Sequence, residues 1–88
     1  MTALEEDLAL WLETDGTPSA AGAAFQARFG PDAARRLARA EHALSYLRAH
    51  HGALREAGLL ALGEKPGDIR LAPRFAQELA ALCEPPGS

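Results

Sequence analysis

The sequence predicts a mainly α-helical domain with one β-hairpin, and three observations predict it. Apolar residues recur at steps of three and four along most of the chain, the spacing of helices with one buried face. Caps and stops such as Thr17-Pro18, Gly30-Pro31 and Asp32 cut that pattern into separate helices. One stretch, "GLLALGEKPGDIRLAP" (58–73), departs from it and reads as two short strands around a turn. With 88 residues, of which 48% are apolar and 24% charged, the chain supports one small folded domain and is too hydrophobic for a disordered one.

Thr2 and Glu5 form the T-x-x-E capping box of a first helix, with Leu4, Leu8, Trp11 and Leu12 on one apolar face and Asp15-Gly16 as its break. Thr17 caps a second helix with Pro18 at its first position. Ala21, Phe25 and Phe29 form its inner face, and Gly30-Pro31 stops it. Gly22 costs that helix stability, which close approach of another element best explains. Asp32 caps a third helix to about His51, in which Leu37, Ala40, Leu44, Leu47 and His51 should face the core. Gly52 is its natural stop, and "ALREAG" (53–58) is either a further helical turn or a loop delivering Leu54 to the core.

Pro66-Gly67 suits the central positions of a type II turn, and pairing Leu62 with Ile69 sets Leu60 opposite Leu71. All four large residues then lie on one buried face, with Ala61, Arg70 and Ala72 on the other, giving strands at about 59–62 and 69–72. The competing reading continues the helix through 53–62, against which Gly52 and Gly58 stand. After Ala72-Pro73, the residues Phe75, Leu79 and Leu82 make the buried stripe of a short last helix ending near Cys83. The tail, 84–88, is expected to be disordered.

Three helices leave part of their shared core open, and a two-stranded sheet laid against that opening covers it. Helix, helix, helix, hairpin is the order of a winged helix-turn-helix domain, here 1–83, with the hairpin as wing and the third helix presenting its outer face to a partner.

Three segments resemble the LOTUS domain, also called OST-HTH, a winged-helix family of RNA-regulatory proteins. "PSAAGAAFQARFG" (18–30) is similar to its second helix, with a Phe, another Phe four residues on, and Gly. "HALSYLRAHHGAL" (42–54) resembles its later helix, and "GDIRLAP" (67–73) its closing strand. Where the family breaks with a Leu-Gly step before its later helix, this chain has "ARAEHA", so either two family helices are fused here or the likeness is to winged helices at large. The resemblance implies RNA binding, including structured guanine-rich RNA, or docking onto an RNA helicase.

The net charge of −3 argues against a general polyanion binder, but its sign changes along the chain. Residues 1–16 hold five acidic and no basic side chains, leaving nine basic against seven acidic in the remaining 72. On the third helix Arg35, Arg39, His42, Tyr46 and His50 fall on one face opposite Leu37, Leu44 and Leu47. Such a stripe can neutralise phosphates through its arginines and stack a base on Tyr46, with Lys65 and Arg70 of the wing extending it. It also reads as ordinary solvated surface, and Lys65 and Arg70 as solubility charges.

His50, His51 and Cys83 lack the spacing of a zinc site, so no metal is expected; His51 reads as a partly buried packing residue and Cys83 as a small exposed or edge hydrophobe. No phosphate loop, nucleophile elbow or arranged Cys-base pair marks an enzyme, and Glu5, Glu6 and Asp7 are explained by the dipole of the helix they open. No cofactor or small-molecule substrate is expected. With no membrane-length apolar run and an acidic start unlike a targeting peptide, the expected setting is intracellular, cytoplasmic or nuclear. The functions that remain are a nucleic-acid-binding module, RNA by resemblance, and a protein-docking module of the same fold.

Overall fold

The computed structural model describes residues 3–14, 17–65 and 67–85. Four helices, α1 (Ala3–Glu13), α2 (Pro18–Phe29), α3 (Ala33–Glu56) and α4 (Pro73–Cys83), surround one core, and strands β1 (Leu60–Leu62) and β2 (Ile69–Leu71) form an antiparallel hairpin between α3 and α4. The fold is therefore mainly helical with a single small sheet.

Local chemistry sets most boundaries. The Thr17 side chain accepts a hydrogen bond from Ala20 N–H (3.2 Å), and Pro18 occupies the first turn, where its missing N–H costs nothing. At the other end of α2, Gly30 adopts φ +58° and its N–H returns to the Gln26 carbonyl. A single 3₁₀ turn, Gly30–Asp32, then leads into α3. Thr2 and the Asp15-Gly16 break lie outside the described residues.

The third helix differs from expectation at both ends. Asp32 itself has helical dihedrals and no capping hydrogen bond; its carboxylate lies 3.9 Å from Arg35 instead. Gly52 does not stop the helix, which runs 24 residues to Glu56. A glycine in a helix interior weakens it by only about 1 kcal/mol, which the burial of Leu54 one half-turn later offsets. The stop is Gly58 at φ +75°, a conformation open to glycine at little cost. Its N–H bonds the Arg55 carbonyl (3.1 Å) and Leu59 N–H the Leu54 carbonyl (2.9 Å), the paired bonds of a Schellman motif. "ALREAG" is thus a helical turn and a cap.

The hairpin has the expected register, Leu60 with Leu71 and Leu62 with Ile69. Its turn is closed by Asp68 N–H donating to the Lys65 carbonyl (2.9 Å), while Pro66 lies outside the described residues. The turn sits hard against the end of α1: a Cβ on Gly67 would come within 2.5 Å of a Glu13 carboxylate oxygen. Gly22 shows no such crowding, since its nearest neighbour would be Leu37 Cδ2 at 4.0 Å, an ordinary contact.

Leu4, Leu8, Trp11, Phe25, Leu44, Leu47, Leu60, Ile69, Leu71 and Leu79 make the large part of the core. Three expected core residues are not in it. Leu62 is 53% exposed and Leu82 80% exposed, while His51 is on the surface. On α4 the buried stripe is Ala76, Leu79 and Cys83, with Phe75 partly buried against the core and near Tyr46. Cys83, expected at an edge, is therefore buried.

Candidate interaction surfaces

The seven residues expected to contact nucleic acid do not form one surface. Arg39 is buried, and its guanidinium donates to Asp7 Oδ2 at 2.8 Å. Asp7 is fully buried and is also held by Arg36, whose Nη2 and Nε reach its two oxygens at 2.7 and 3.2 Å. A buried carboxylate with two guanidiniums satisfies its desolvated charge, and the Arg36 guanidinium lies 3.6 Å from the centre of the Phe29 ring as well. Asp7 is thus far more than a charge near a helix start.

Arg35 is half-buried and donates to the Glu84 carboxylate, which Arg39 also approaches at 3.6 Å. Glu84, expected to open the disordered tail, is accordingly fixed to α3. The Arg35 hydrogen bond and charge hold the Glu84 carboxyl below its ordinary value and raise the Arg35 guanidinium above its own. Burial pushes the neighbouring Cys83 thiol up, against a smaller opposing effect of Arg39. Together these contacts tie α1, α3 and the end of α4 into one polar knot.

The remaining stripe is smaller. His42, Tyr46 and His50 are exposed, with Tyr46 tilted against His50 (4.6 Å between ring centres) and near Phe75 (6.4 Å). Lys65 stands at the hairpin turn and Arg70 on the outward face of β2, each exposed. Neither has an ion-pair partner among the described residues.

A different surface emerges between the hairpin, the C-terminal half of α3 and the end of α1. Leu12, Leu44, Leu47, Leu60 and Ile69 floor an open groove of about 410 Å³. Leu62 forms one lip, and Arg48 and His51 line the α3 side. Leu62 shares a face of β1 with the buried Leu60, as the register requires, yet stays more than half exposed. Sequence reasoning placed His51 and Leu62 inside because their spacing matches the buried stripes; the groove is where those stripes outrun the helices opposite them.

Among the described residues, no group of three or more His, Cys, Asp or Glu is placed to hold a metal ion, and no helix is long and apolar enough to cross a membrane. Compared with known proteins, the chain matches no family model, no curated protein and no solved structure.

Proposed function

We propose that this domain is a protein-docking module of winged-helix layout rather than a nucleic-acid binder, with no catalytic step of its own. The observation that carries the reading is the engagement of Arg35, Arg36 and Arg39 by Asp7 and Glu84. Setting aside those three arginines, Asp7, Glu84 and the buried Glu5, which accepts from Leu71 N–H, leaves six basic against nine acidic residues, so the remaining charge is net −3. A phosphate backbone gains little from such a surface, because its affinity scales with the cations it can recruit. The helix, helix, helix, hairpin order is compatible with a winged helix, and the resemblance to LOTUS domains supports the docking half of what that family implies, with an RNA helicase as the partner class.

A second reading keeps single-stranded RNA as the ligand, favoured by the exposed Tyr46 beside His42 and His50, which offers a stacking platform. The two readings separate in titrations at low salt against single-stranded RNA, duplex DNA and a guanine quadruplex. Docking predicts no saturable binding to any of them. It also predicts that short peptides displayed as a library and selected on the domain converge on a consensus. Saturable RNA binding that Tyr46→Ala abolishes, with no peptide consensus, would establish the second reading instead.

A further inference from the structure

The groove under the hairpin has three properties that together describe what it takes. Its floor is aliphatic, and the exposed Leu62 at its lip extends that apolar surface outward. Its α3 wall carries the Arg48 guanidinium beside the His51 imidazole, and neither has a carboxylate partner among the described residues. Beyond Leu62 and Ile69 the hairpin turn carries Glu64 and Asp68 with Lys65 between them, and Glu13 packs against Gly67 there. The groove thus has a guanidinium on its α3 side, and the turn beyond it has three carboxylates against one lysine.

We propose that this groove is the docking site, and that its occupant is a short aliphatic segment of a partner protein carrying carboxylates at one end, seated with that end against Arg48 and His51. The inference rests on the docking reading and specifies its site and partner chemistry. Aliphatic side chains of the segment cover Leu62 and fill the floor, gaining from removal of apolar surface from water. Its carboxylates meet the α3 wall, and the acidic turn rejects the reverse orientation, which is how like charges confer specificity. A segment with lysines at that end meets the Arg48 guanidinium and is refused.

The test uses two synthetic peptides sharing a Leu-Val-Leu core, one with two Glu residues at its N-terminal end and one with two Lys residues there, titrated into the ¹⁵N-labelled full chain. The Glu peptide is expected to shift the amides of residues 44–51 and 60–62, and to bind at least ten-fold tighter than the Lys peptide. Leu62→Asp should weaken the Glu peptide by ten-fold or more while leaving the amide spectrum of the free domain otherwise folded. Arg48→Glu should reverse the preference between the two peptides, a result that a mere loss of structure cannot produce. Equal binding of both peptides, shifts confined to another face, or no shifts at millimolar peptide each overturn the proposal. So does concentration-dependent self-association that Leu62→Asp removes, which assigns the groove to a second copy of this chain. A peptide consensus from selection that binds Leu62→Asp unchanged would leave the docking reading standing and remove only this site.

Discussion

The two halves of α3 use the same residue types to opposite ends. In the first half, Arg35, Arg36 and Arg39 turn toward α1 and α4 and are held by Asp7 and Glu84. In the second half, Arg48 and His51 line an open apolar groove with no carboxylate among the described residues to hold them. The difference comes from what faces each half. The first is covered by α1 and by the residues that end α4, both of which bring carboxylates. The groove beside the second is lined by strand residues that bring none, Leu60, Leu62 and Ile69. A basic helix therefore acts as internal scaffold where acidic elements pack on it and keeps its charge at the surface where they do not.

The largest effects should come from breaking the scaffold half. Asp7→Ala leaves two guanidiniums without their buried counter-charge and is expected to cost about 3–5 kcal/mol, a large share of the stability of a domain this size. Urea unfolding would measure it. Replacing all three members together, Asp7→Leu with Arg36→Met and Arg39→Met, should recover most of that loss, because no charge is then stranded. Trp11→Ala opens a void against the core face of α1 and should cost a comparable ~3–5 kcal/mol.

Smaller effects should mark the end of α3. Gly58→Ala forces a side chain into the left-handed region at φ +75° and should destabilise by about 1–2 kcal/mol. Gly52→Ala should instead stabilise by up to about 1 kcal/mol, since the position is helical and a Cβ there meets nothing within 4 Å. Equal thermal shifts in one direction for the two variants would place the helix end elsewhere.

Titration should distinguish the halves as well. Glu84 has a lowered pKa in the folded state, so its pairing with Arg35 contributes fully above the ordinary carboxylate value of 4.5 and is lost as pH falls below it through the lowered one. Glu84→Gln should remove that contribution across the neutral range and leave the acid range nearly unchanged, so that the stability curves of the two proteins converge as pH falls. The smallest effect belongs to the recognition half: Leu62→Ser, on a residue already more than half exposed, should alter stability by no more than about 0.5 kcal/mol. A loss of several kcal/mol would mean that Leu62 is covered in solution and that the groove is closed.

The sequence by itself determined the elements whose causes are local. Thr17-Pro18 opens α2 and Gly30 closes it through bonds within one turn, and the alternation of Leu60, Leu62, Ile69 and Leu71 fixes the strand register whatever packs on it. It also marked Leu4, Leu8, Trp11 and Phe25 as core, because their spacing leaves them no other face. Gly52 is the locally natural end of α3, but the helix runs on to Glu56 with Leu54 buried and ends at Gly58. Only tertiary structure decided the fate of the charged stripe. Arg35 and Arg39 share a helical face with His42, Tyr46 and His50, but Asp7 lies 32 residues from Arg39 in the chain and Glu84 lies 49 from Arg35. Helical periodicity tells which side chains point the same way. Whether a buried carboxylate waits there depends on which distant segment is folded against them.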